Sequence, residues 1–302
     1  MSLPAAAAVA VAALLDAAVG EFPTRTHPVV WFGAAVAPFD REWSRPLAVG
    51  VAVAVALPLA AAVAVAGVVA AAGRPHVAAA VAVAALALFS ATSLRMLLDE
   101  ARAVVAATEG DVDAARDRLR SLAGRDPAGL SAGQIRSAAV ESAAENLADG
   151  LVAPLAAFAV GASVSLPVAA GAAAWVKAVN TLDSMLGYRS KRVGTASARL
   201  DDAVMWLPAR LSAALVAAAA LDPGALRRAW PHASTPPSPN SGWPMATLAA
   251  ALDVRLEKPG AYELPCGPAL PTAAAARRGI HVVGAAGLLA TALAAAGVAA
   301  WP

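Results

Sequence analysis

From Leu47 to Ala72 the chain runs for 26 residues without one charged or hydrogen-bonding side chain. As a helix that run would be roughly 39 Å long, more than the ~30 Å hydrocarbon core of a bilayer. A helix is also the conformation in which such a run satisfies its own backbone in lipid. Similar apolar runs lie at about 3–20, 77–94 and 280–300. Two more, 151–176 and 203–221, are interrupted by Gly161, Pro167, Pro208 and Arg210 and read as broken or re-entrant segments. Hydrophobic residues make up 59% of the sequence and charged residues 15%, against about 25% in a soluble domain. The expected fold is an all-α, polytopic integral membrane protein with about four to six transmembrane segments, organised as one domain over residues 1–302.

Polar sequence fills 21–46, 95–150, 177–202 and 222–279. Lysine and arginine number seven in 95–150, five in 177–202 and six in 222–279. The positive-inside rule places all three on the cytoplasmic side of a cell membrane, which requires 151–176 and 203–221 to re-enter rather than cross. Within 95–150 the pattern predicts a cytoplasmic helical region. "DVDAARDRLRSLAG" begins acidic, ends basic and stops at Gly124, and a new helix starts near Ser131. The segment 222–279 is read as a cytoplasmic loop. Met1–Gly20 has no basic leader and contains Asp16, which favours a retained first helix over a cleaved signal.

A formal charge of +2 without long basic runs argues against nucleic acid as a partner. A single cysteine, Cys266, excludes an intrachain disulfide framework, and the four histidines have no zinc-site spacing. Six polar clusters remain. "GEFPTRTHPVVWFG" carries His27 beside interfacial aromatics. "SLRMLLDEARAVVAA" sets Arg95, Asp99 and Arg102 on one helical face, suited to ion pairing or, through Arg95, to a phosphate. "VESAAENLADGLVAPL" stacks Glu141, Glu145 and Asp149 at intervals of four, with Asn146 beside them. Such a stripe is either a solvated acidic face or a set of oxygen ligands for Mg²⁺. "WVKAVNTLDSMLGYRSKR" puts Lys177 and Asn180 on one face with Asp183 adjacent, either as a buried ion pair or as phosphate and metal contacts. "SARLDDAVMWLPARL" carries Asp201 and Asp202 between Arg199 and Arg210, suited to a divalent cation or to simple ion pairing, and "SPNSGWPMATLAAAL" offers Asn240 and Ser241 as caps or ligand contacts.

Taken together and in this order, "HPVVWFG", "SLRMLL", "GRDPAGL", "VESAAENLADGLVAPL", "KAVNTLDSMLGY", "ASARLDD", "PARL" and "SPNSGWPMA" resemble the adenosylcobinamide-phosphate synthase (CobD/CbiB) family of cobalamin biosynthesis across roughly residues 16–260. The resemblance implies an acid–amine ligase of the inner membrane. It would join (R)-1-amino-2-propanol or its O-phosphate to a propionate of adenosylcobyric acid, with Mg²⁺ and ATP, although no familiar ATP motif is present. It implies Glu141, Glu145, Asp183 and Lys177 as catalytic residues, and Glu145, Asp183, Asp201 and Asp202 as metal ligands. His27, Arg95, Asn146, Asn180, Arg199 and Asn240 would bind substrate. The implied partners are the corrinoid, the amino alcohol and the lipid bilayer, with a homo-oligomer left open. Two departures stand out: Met205 precedes "WLPAR" where the family has Asn, and 188–196 is short and lacks an aromatic pair. The competing reading is a non-enzymatic transporter or an AmpE-like sensory protein, because intramembrane charges and broken segments also suit those.

Overall fold

The computed structural model describes residues 2–122, 126–188 and 190–300. The described chain is built from fourteen α-helices and one small hairpin and divides into two compact units. Four helices are long and apolar enough to cross a membrane: Pro46–Ala72, Val77–Ala107, Ala132–Ala162 and Ala273–Ala300. Counting the bent pair Arg192–Val204 and Trp206–Ala219 as one span gives five. The protein is therefore an all-α polytopic membrane protein.

The first unit comprises 1–93, 149–205 and 291–302. It contains α1 (Ser2–Val19), α2 (Pro28–Val36), α3 (Pro46–Ala72) and α4 (Val77–Ala91). It also contains α8 (Ala153–Ala162), α9 (Leu166–Leu186) and α10 (Thr195–Val204). Helices α3 and α9 pack most extensively, followed by α8 against α9 and α1 against α4. Small residues allow this, as in membrane helix pairs generally. A Cβ on Gly171 of α9 would stand 2.9 Å from the Ala62 carbonyl oxygen of α3. Gly171→Val should therefore force the two helices apart and destabilise the protein by about 1–3 kcal/mol, measured as a lowered melting temperature in detergent.

The second unit comprises 94–148 and 206–290. Its helices are α5 (Arg95–Ala107), α6 (Val112–Leu122), α7 (Ala132–Leu147), α11 (Trp206–Ala219), α12 (Gly224–Ala229) and α13 (Gly242–Leu252), with most of α14 (Ala273–Ala300). Strands β1 (Arg255–Lys258) and β2 (Tyr262–Pro265) pair antiparallel, Leu256 opposite Leu264, with both leucines fully buried. Helix α7 starts where the sequence predicts. Ser131 Oγ accepts from the Gln134 amide, and the Gln134 side chain accepts from the Ser131 amide, forming a capping box. The predicted stop at Gly124 lies outside the described residues.

Several boundaries differ from the sequence reading. The apolar first helix, Leu3–Val19, is shorter than a span, at roughly 25 Å. Segment 151–176 is divided between two helices: α8 continues α7 through a π-helical turn, Ala148–Val152, and the chain breaks at 163–165 before α9. Gly150 and Pro154 sit inside that helix, where the extra residue of the π turn absorbs the local distortion. In 203–221 the break falls at Met205, and Pro208 takes the first turn of α11, where its missing N–H costs nothing.

Candidate active site

In the first unit the loop after α1 and the second half of α9 bring polar groups together. His27 caps α2: its Nδ1 accepts from the Val29 amide at 3.1 Å, so Nε2 carries the proton and donates to Glu21 Oε1 at 3.0 Å. Both ring nitrogens are thereby committed, His27 is buried, and Phe22 packs edge-on against the imidazole. Lys177, about three turns into α9, lies in the electrostatic field of both Asp149 and Glu21. One turn further on, Asn180 Nδ2 donates to Asp149 Oδ2 at 3.4 Å. Asp149 comes from the π turn, whose Gly150 carbonyl accepts from the Ser93 amide at 3.0 Å. The result is one cation, an amide and two carboxylates, with an apolar cavity of about 80 Å³ running from Lys177 past Ser90 and Thr181 to Phe32.

Asp183 lies one turn beyond Asn180, near the C-terminus of α9, a helix not among the apolar spans. Burial, and secondarily the nearby Asp202 carboxylate, push Asp183 up to about 6. Asp183 Oδ1 is buried and takes no hydrogen bond among the described residues. The carboxylate sits over Gly187, where any Cβ would collide with Oδ1. Asp202, on α10, is itself raised by burial, an effect opposed by Arg199, whose Nη1 stands 3.9 Å from Asp202 Oδ2. Asp201 is half-buried beside it, and the Arg199 side chain is exposed.

Two close carboxylates, one with an unsatisfied buried oxygen, fit the donor set of Mg²⁺, which binds through one or two carboxylates together with substrate phosphates. Among the described residues no group of three or more His, Cys, Asp or Glu side chains gathers as a protein-only metal cage. The residues that fit are Asp183 and Asp202.

The second unit holds the remaining predicted residues. Glu141 is fully buried, with Oε1 accepting from Ser137 Oγ and Oε2 from Tyr262 OH, each at 2.7 Å. Ser137 Oγ also accepts from the Glu257 amide at 2.7 Å, so Glu141 ties α7 to the hairpin. Glu145 is half-buried one turn on, and Asn146 is exposed, donating to the Ser142 carbonyl at 2.9 Å. The Arg95–Asp99–Arg102 series forms the expected ion pairs, at 3.5 and 3.0 Å.

Asn240 is no helix cap, and α13 has no side-chain cap at all. Its buried Oδ1 instead accepts from Arg210 Nη1 at 2.8 Å. Arg210 also donates to the Trp206 carbonyl, and its guanidinium lies 4.4 Å from the Trp206 ring centroid and 4.8 Å from that of Trp243. "PARL" and "SPNSGWPMA" are thus one structural cluster, with Arg210 as its hub. The sequence set Arg210 beside Asp201 and Asp202 as one of two bracketing arginines; the available signal for its hub role was a tryptophan near each motif, Trp206 just before "PARL" and Trp243 within "SPNSGWPMA". Arg210→Lys cannot reproduce the planar fork between two rings and should cost about 1–3 kcal/mol in denaturant titration. Combining it with Asn240→Ala should add little further loss, since both act on one contact.

The family model for CobD/Cbib protein matches residues 9–289. Among curated relatives, the cobalamin biosynthesis protein CobD of Mycobacterium tuberculosis is 41% identical over 276 residues, covering 88% of this chain and 85% of the relative. The Klebsiella pneumoniae protein of the same name is 37% identical over 268 residues, covering 83% and 82%. A probable CobD of Methanothrix thermoacetophila is 34% identical over 267 residues, covering 84% of each. No solved structure matches. With a family match across nearly the whole chain, and with the polar motifs built into two ordered clusters, the chain belongs to the CobD/CbiB family and acts in cobalamin biosynthesis.

Proposed function

We propose that this chain is the acid–amine ligase that attaches (R)-1-amino-2-propanol, or its O-phosphate, to a propionate of adenosylcobyric acid at the cytoplasmic face of the cell membrane. The observation that carries the reading is the clustering of Lys177, Asn180 and Asp183 along α9 with Asp149 of the π turn and Asp202 of α10.

A carboxylate does not react with an amine until one of its oxygens becomes a leaving group. ATP supplies that by phosphorylating the propionate, releasing ADP. The neutral amine then attacks the acyl carbon, the C–O bond breaks, inorganic phosphate leaves and the ammonium proton passes to a base. Lys177 holds the transferred phosphoryl oxygens as a point charge. Asp149, fixed by Asn180, accepts the proton. Bound Mg²⁺, held by Asp183 and Asp202, would neutralise charge on the phosphates. Neutral His27 positions Glu21 rather than reacting, because both its nitrogens are occupied. Arg199, exposed beside Asp202, contacts the anionic groups of the substrates. Glu141 and Asn240 act through the groups they hold, the hairpin and Arg210.

Membranes containing the chain, given adenosylcobyric acid and Mg-ATP with each amine in a separate reaction, should yield an amide product in at least one of them and ADP in step with it. Absence of amide with both amines, in membranes where the protein is present and folded, would refute the ligase reading.

A further inference from the structure

The start of α14 contains basic groups that the ligase reading does not use. Arg277, Arg278 and His281 line an open cleft of about 580 Å³ whose other walls are apolar, among them Ala219 of α11 together with Val282 and Ala285. Arg277 is engaged by Glu109. Arg278 and His281 are exposed, and neither has an ion pair or side-chain hydrogen bond among the described residues.

The basic groups are followed along the helix by an apolar face. Positions 278, 281, 285 and 288 follow one another at intervals of three and four and so share one face of α14. All four are exposed, and Leu288 is 68% exposed. The helix is one of those long and apolar enough to cross a membrane. From Arg278 to Leu288 the face runs about 15 Å, half the hydrocarbon thickness. Cationic groups at 278 and 281, followed on the same face by exposed apolar positions 285 and 288, match a phospholipid with an anionic headgroup and the upper part of its acyl chain. Free phosphate would find the charge without using the strip, and a zwitterionic lipid would use the strip without needing the charge.

We propose that the cleft at the head of α14 binds the headgroup of an anionic phospholipid, with Arg278 as its main phosphate contact, His281 as the second and Ala285–Leu288 as the acyl track. The full chain in detergent would be titrated separately with phosphatidylglycerol, phosphatidylcholine and inorganic phosphate, with binding read by thermal shift and by native mass spectrometry. Phosphatidylglycerol should bind and stabilise, with neither of the other two matching it. Arg278→Gln should weaken that binding about fivefold, the effect of one basic side chain at an anionic surface. His281→Gln should weaken it less, and Leu288→Ser should weaken the lipid alone. Helix content by circular dichroism checks that each variant is folded, and the two other substitutions test the site if Arg278→Gln is not. Equal binding of phosphatidylcholine, full competition by inorganic phosphate, or undiminished binding in all three variants would overturn the proposal.

Discussion

Asp183→Asn is expected to abolish amide formation and, in the same protein without added Mg²⁺, to raise the melting temperature. Both effects follow from one buried carboxylate. Its pKa stands at about 6 in the folded protein against an ordinary value of 3.8. The folded state therefore binds this proton more tightly than the unfolded state. Stability is lost as pH rises from about 3.8 through 6, and the deficit is fully present at pH 7. Asparagine keeps the shape without the charge, which removes the desolvation cost and the repulsion from Asp202. In the wild type, heating scans in chelator should show greater stability at pH 5 than at pH 7.5, and Mg²⁺ should narrow the gap. The variant should lose most of that pH dependence. A variant that lost stability together with activity would mark Asp183 as a structural residue.

Glu141→Ala is the second large effect, and it runs the other way: stability should fall sharply whatever happens to turnover. The substitution removes the fully buried carboxylate that accepts from the Ser137 and Tyr262 hydroxyls. Two lost side-chain hydrogen bonds at about 1–3 kcal/mol each, with the cavity left behind, give an expected loss of about 2–5 kcal/mol, visible as early unfolding and protease sensitivity in the 255–265 hairpin. Glu141→Gln keeps one acceptor oxygen and should retain part of that stability.

The acidic stripe shows how far the sequence could be read. Spacing of four places Glu141, Glu145 and Asp149 on one helical face, and the helix is present. Their environments are nevertheless unlike: Glu141 is sealed in a hydrogen-bond network, whereas Asp149 sits in a π turn and accepts from Asn180. Periodicity reports direction around one helix. It cannot report that Tyr262, 121 residues away in sequence, supplies a hydroxyl to Glu141. The long apolar runs of α3, α4 and α14 were legible because their length alone decides between membrane and core. The π turn was not, since the extra residue leaves no compositional mark. The hairpin was missed because strands of four residues carry too little alternation, although Pro259-Gly260, with Gly260 at φ +74°, was a usable turn signal. In the candidate site, Lys177, Asn180 and Asp183 could be read from α9 alone. The hub role of Arg210 depended on two motifs meeting in space, with Arg210 and Asn240 30 residues apart in sequence.

The central claim is that the Lys177 cluster carries out amide formation. It is tested most directly by comparing the wild type with Lys177→Met in the same membranes, at equal protein and equal helix content. Both would be supplied with adenosylcobyric acid, Mg-ATP and the amine, and the corrinoid would be weighed by mass spectrometry. The account predicts the amide product from the wild type and unreacted acid from Lys177→Met. Equal yields of amide from the two proteins would contradict it.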